Sequence, residues 1–296
     1  MSRGTVTDIN RDVAATLKLC GPAVLLTDNG TVVPDLCQHL LAVITKRHPC
    51  QQDLGDEGEE IDLDESSEYD WLVIETAMEV VTCLAVALGS QFTELWKMFE
   101  KPIMKYASSQ EPTERSAAVG TIAECIGNMG EGCTQYQSSL LKVLLHRLSD
   151  EDVDAKSNAV YGMGLLAENT TNDDEIAKNL PTIFSKIEPL LDAKDQPRLL
   201  DNTAGCVSRF ITKHTDRLPV AEVLPRLVQL LPLREDYEEN KPIFGMFVKL
   251  YQRNDPTVQQ LTPTLMPIFE QALSSEDQLE DETRAQLTEL VQYLRK

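Results

Sequence analysis

The sequence predicts an all-α fold, a right-handed α-solenoid of HEAT repeats built from antiparallel helix pairs. Three observations carry this. Similar stretches recur: ERSAAVGTIAE at 114–124, SNAVYGMGLLAE at 157–168 and DNTAGCVSRF at 201–210, with Glu114, Asn158 and Asn202 spaced 44 residues apart. A period of roughly 40–47 residues holding two helices marks HEAT and armadillo arrays. Residues of the AVILMFWYC set make up 42 % of the chain, enough to bury a core, and 296 residues suit one array, 1–296, whose core grows by repetition. The helical runs are separated by short turns rich in breakers, namely Gly130 and Gly132, 169–173, Asp216, and Asn254 with Pro256. Such short turns force antiparallel neighbours.

In chain order, 8–26 has helical apolar spacing at Val13, Leu17 and Leu19 and ends at Gly21 and Pro22. It opens without a polar capping repeat, so the chain is expected to be the C-terminal part of a longer superhelix. A helix over 33–46 follows, with Pro34 in its opening turn. Residues 51–70 read QQDLGDEGEEIDLDESSEYD, and no Lys or Arg occurs between Arg47 and Lys97. Like charges this dense repel, which predicts an extended acidic loop between the two helices of one unit. Two readings stand: a solvated linker, or an insert that captures a basic chain.

Residues 71–88 are apolar almost all round, as an inner helix sandwiched between neighbours requires. The next helix, 92–106, is expected to kink near Pro102. The spacing then pairs helices 112–129 with 136–148, 153–169 with 175–191, 197–214 with 220–231, and 237–252 with 261–273. A last helix over 281–295 carries Glu282, Arg284, Glu289, Gln292 and Arg295 among its apolar positions, the polar dressing of a terminal cap.

With 48 acidic against 27 basic residues, the formal net charge is −21. That argues against direct binding to nucleic acid or an anionic membrane, and favours basic partners; acidity that serves only solubility is the other reading. The seven cysteines stand singly, with no Cys-x-x-Cys, as in a reducing compartment. The start, MSRGTVTD, lacks the apolar core of a signal peptide, and no apolar run approaches the length of a membrane span, roughly 18 residues. Four histidines stand outside any His-Glu-x-x-His or nucleophile-elbow context and no Gly-rich phosphate loop is present, so neither catalysis, metal nor cofactor is expected.

From about residue 70 to the end, the runs ERSAAVGTIAE, AKSNAVYGMGLLAE, LLDNTAGCVSRF and LPLREDYEE resemble, in this order and spacing, the C-terminal HEAT repeats of importin-beta (karyopherin-beta) nuclear transport receptors. The likeness is greatest to the importin four branch, which carries histones and ribosomal proteins. The resemblance implies a nuclear import receptor fragment that wraps basic cargo, a histone tail, ribosomal protein or nuclear localisation segment, with acidic and Asn residues on concave inner helices. It implies shuttling between cytoplasm and nucleus, and a Ran GTPase contact made by repeats this chain lacks. Trp71 and Trp96 stand alone, unlike the paired Trp and Asn of importin-alpha and armadillo arrays. The alternative is a HEAT scaffold that binds folded partners through loops at repeat edges.

A lysine ammonium offers three donors and needs converging oxygens. The 44-residue column supplies Glu114, Asn158 and Asn202. Matching 243–247 to 206–210, at a shift of 37, continues it to Glu239, with Glu238 beside. One turn past Asn158, Tyr161 stands between the equivalent Ala117 and Gly205, which leaves a slot for an alkyl stem against the ring. Asn158, Tyr161, Asn202, Glu238 and Glu239 are therefore the candidate cargo-peptide site, with Glu114 and Asp201 as outlying members. Helix capping explains the same acidic and Asn placements without any ligand.

Overall fold

In the computed structural model, residues 2–26, 31–52 and 63–296 are described, the side chains of 63–69 excepted. The described residues are helical, without strands, and divide into two compact units, Met1–Val143 and Leu144–Lys296. In the first unit, α1 (Arg3–Cys20), α3 (Leu63–Leu88) and α5 (Pro112–Met129) lie side by side as one layer. The helices α2 (Val32–Ile44) and α4 (Phe92–Tyr106) form the second. Helix α6 (Gln137–Arg147) straddles the division.

The second unit repeats the scheme. Helices α7 (Val153–Asn169), α9 (Pro197–His214), α11 (Asn240–Gln252) and α13 (Asp281–Leu294) pack in succession as one layer. Against them lie α8 (Asp173–Ile187), α10 (Val220–Val228) and α12 (Pro256–Ser274). Within each unit, odd-numbered helices thus form one layer and even-numbered helices the other, the two-layer HEAT arrangement.

Local chemistry fixes the ends. The Asp152 carboxylate caps α7 by accepting from the Ala155 N–H at 2.8 Å, and Asp255 caps α12 by accepting from Thr257 and Val258. Proline opens α5, α9 and α12, where its missing N–H costs nothing. Interior prolines (Pro102, Pro181, Pro225, Pro263, Pro267) fall in even-numbered helices. Aromatic rings tie the layers together: Phe184 meets Phe210 edge-on at 5.4 Å, and Phe244 and Phe247 both meet Phe269.

Helix boundaries differ from expectation where caps decide them. Helix α12 starts at Pro256 instead of 261, because Asp255 and Pro256 form a cap-and-N1 pair. Helix α11 is preceded by a 3₁₀ turn, Tyr237–Glu239. Helix α3 starts at Leu63, so the acidic loop expected over 51–70 is helical in its last part. Residues 53–62 of that loop lie outside the described residues. By length and composition, the region around α3 is apolar enough to cross a membrane, contrary to the sequence expectation. In the structure α3 packs against α1, α2 and α5, with Val73, Ile74, Ala77, Val80, Val81 and Leu84 buried, as a core helix.

Candidate functional site

The site grows from the close approach of α7 and α9. A Cβ at Gly164 would stand 2.8 Å from the Cys206 Cα, so only glycine permits this spacing. Helix α9 is buried without a break from Leu199 to Ile211, yet it carries Asp201, Asn202, Thr203, Ser208 and Arg209. Buried polar groups require partners, and each of these side chains makes at least one hydrogen bond, the Asn202 Oδ1 alone among their fully buried polar atoms being left without one. Thr203 and Ser208 donate back to the Leu199 and Ala204 carbonyls. The Asn202 Nδ2 donates to the Ser157 Oγ at 2.9 Å, joining α9 to α7. One Asp201 oxygen accepts three successive backbone N–H groups, from Arg234, Glu235 and Asp236, at 3.0, 2.7 and 2.9 Å. That carboxylate shapes the LPLRED turn leading into α11.

Arg209 is the centre. Its guanidinium donates to both Glu239 oxygens at 2.5 and 3.0 Å and, through Nε, to Glu168 at 3.1 Å. It also lies 5.5 Å from the Tyr161 ring centroid, within cation–π range. Residues from α7, α9 and the turn before α11 thereby meet on one group. A Cβ at Gly205 would fall 1.3 Å from the Glu239 Oε2, so the glycine is what admits the carboxylate. Burial alone would lower the Arg209 pKa, but Glu239 and Glu168 outweigh it and hold the guanidinium protonated above its usual range. Burial pushes the Glu239 carboxyl up, against the pull of Arg209. Both its oxygens accept from the guanidinium, which requires the ionised form.

This geometry corrects part of the column. Glu239 and Asp201 are each 1 % exposed and their carboxylates are taken by Arg209 and the 234–236 backbone; Asn202 is 2 % exposed and donates to Ser157 through Nδ2, while its Oδ1 accepts no hydrogen bond but is shielded by burial. Their placement was readable from spacing, but burial and partners are set by neighbouring helices. Glu238 is exposed, and Asn158 is half-buried and accepts from the Arg198 Nη2 at 3.2 Å. Tyr161 is half-buried beside Arg209. Glu114 sits half-buried in the first turn of α5, in the other unit. Sequence reasoning passed over Arg209 and Glu168. Glu168 had served only to align the repeats, although it lies seven residues beyond Tyr161, on the same face of α7. Its side chain is 47 % exposed.

Residues 32–172 match the family described as importin subunit beta-1-like, TPR repeats. The chain is 35 % identical over 267 residues to the probable importin subunit beta-4 of Schizosaccharomyces pombe, covering 88 % of this chain and 25 % of that protein. It is 33 % identical over 297 residues to importin-4 of Homo sapiens, covering 99 % of this chain and 27 % of that one. The chain is made of importin-beta-family repeats. It spans about a quarter of the length of these relatives. A solved structure of importin beta superposes with a TM-score of 0.60 at 14 % identity, over 98 % of this chain and 38 % of that chain, a likeness of fold. The 44-residue step of these importin-type repeats is longer than the roughly 34 residues of a TPR unit and fits HEAT pairs.

Proposed function

We propose that the chain is a cargo-holding part of a nuclear import receptor and takes a basic segment, such as a histone or ribosomal-protein tail, on the odd-numbered helices of the second unit. The observation that carries this is the pairing of exposed oxygens with a fixed frame. Asn158 and Glu168, partly or largely accessible, stand on α7 with Tyr161, and the exposed Glu238 adjoins Glu239 in sequence, while the buried Arg209 orients Glu168 and the Tyr161 ring. A cargo lysine would set its ammonium among these oxygens and its stem against the ring. Each exposed contact is weak, about 0–1 kcal/mol. One peptide joining several of them gains through effective concentration. The Ran GTPase contact is assigned to repeats outside this chain, and the working compartments are cytoplasm and nucleus.

The test is titration of a lysine-rich histone-tail peptide against the chain at physiological salt. Glu168→Arg combined with Glu238→Arg is expected to weaken binding at least about tenfold, roughly 1.4 kcal/mol. Unchanged affinity in a folded double variant sinks this site assignment. Binding of folded partners with indifference to basic peptides would instead favour the scaffold reading.

A further inference from the structure

A second polar site lies at the edge of the second unit, away from the Arg209 cluster. Leu191, Leu200 and Leu230 floor a cavity of about 210 Å³ whose remaining walls include Lys194, Arg226 and Arg234. In a chain of net charge −21, three cations around one small cavity are a local reversal of sign. The only carboxylate lining it is Asp192. Arg226 donates to Glu188 at 2.7 Å through Nη1, but its Nη2 is 3.9 Å from the Asp192 oxygen, beyond hydrogen-bond distance. Among the described residues, Lys194 has no carboxylate partner, and the Arg234 side chain makes only a 3.5 Å contact to the Lys194 carbonyl oxygen. Elsewhere in this unit, surface cations such as Lys241 and Arg295 sit on a carboxylate at 3.0 and 2.6 Å. Lys194 and Arg234 therefore keep donors that are not committed to a carboxylate.

We infer that this cavity binds a phosphoryl group. The Arg234 fork, the Arg226 Nη2 left over from its bond to Glu188 and the Lys194 ammonium supply planar and point-like donors, the set that recognises a tetrahedral dianion. The cavity is large enough to admit a phosphoryl group. The turn that carries Arg234 is held rigid by the three backbone hydrogen bonds to Asp201, so the fork is presented by a fixed main chain. Asp192 is the competing anion; its side chain, 77 % exposed, is free to swing outward when the phosphoryl group enters.

The source is a free phosphate ion or a phosphorylated side chain of a partner, and calorimetric titration of the full chain separates them. The probes are inorganic phosphate, a phosphoserine peptide and its unphosphorylated counterpart, at matched ionic strength and pH 7.5. Saturable binding of the first two, absent for the third, is expected. Tighter binding of the phosphopeptide than of phosphate assigns a partner side chain; equal binding assigns the free ion. Lys194→Gln with Arg234→Gln is expected to abolish the saturable signal with the melting temperature unchanged, since neither side chain is committed to a carboxylate. Asp192→Asn is expected to strengthen binding several-fold. No saturable binding of either phosphorylated probe, or equal binding by the double variant, overturns the inference.

Discussion

At the scale of the residue, Gly205 and Glu239 decide the arrangement around Arg209. Gly205→Ala would drive a Cβ into the Glu239 carboxylate and leave Arg209 without its buried partner. Breaking a buried pair from one side costs about 3–5 kcal/mol. A matching drop in the denaturant midpoint is expected, with Glu239→Ala giving a similar loss. The same substitutions loosen Arg209, which orients Glu168, and should weaken the basic peptide as well. Asp201→Ala removes one acceptor for three N–H groups; faster hydrogen exchange at 234–236 is the expected signature.

His214 carries a pH dependence. It is 4 % exposed, its ring stands 6.1 Å from Phe210, and burial lowers its pKa against the pull of Asp173. A base with a depressed folded pKa is protonated more readily in the unfolded chain, so stability is present above about pH 6.5 and falls as the solution is acidified through that value. Denaturation midpoints from pH 7.5 down to 5.5 should decline, and His214→Leu should flatten the decline.

Helix by helix, the expected 112–129, 153–169 and 197–214 coincide with α5, α7 and α9, each opened by a cap or an N1 proline, whereas α12 carries the same marks at Asp255 and Pro256 and was expected five residues too late. Boundaries were missed where the stop signal is weaker than the packing, as at the start of α3. Arginine side chains also close helix ends across the turn: Arg115 donates to the Ser109 and Gln110 carbonyls after α4, and Arg284 to Leu273, Ser275 and Glu276 at the end of α12. No spacing rule in one sequence distinguishes such an arginine from a surface one. The interior prolines belong to this scale. Pro267 is exposed inside α12. An interior proline costs a helix about 3 kcal/mol and returns roughly 1 by stiffening the unfolded chain. Pro267→Ala is therefore expected to raise the melting temperature.

For the whole molecule, charge dominates. A net −21 spread over 296 residues attracts a basic segment over long range, and salt screens that attraction. Peptide affinity should fall steeply between 50 and 300 mM salt, read by titration, on the order of tenfold or more for several lysine contacts. The 44-residue period, the helix pairing and the acidity were all determined by sequence, because periodic burial and net charge are sums over many residues that no single neighbour can change. Which carboxylates remain free was decided by tertiary structure alone. Asn202 and Glu239 occupy the column as its spacing requires, yet Gly164 and Gly205 let α7, α9 and the turn before α11 approach so closely that Ser157 and Arg209 claim them. Glu168 on α7 and Glu238 in the turn before α11 remain exposed, because burial depends on the distance between helices and that distance is a property of the packed array.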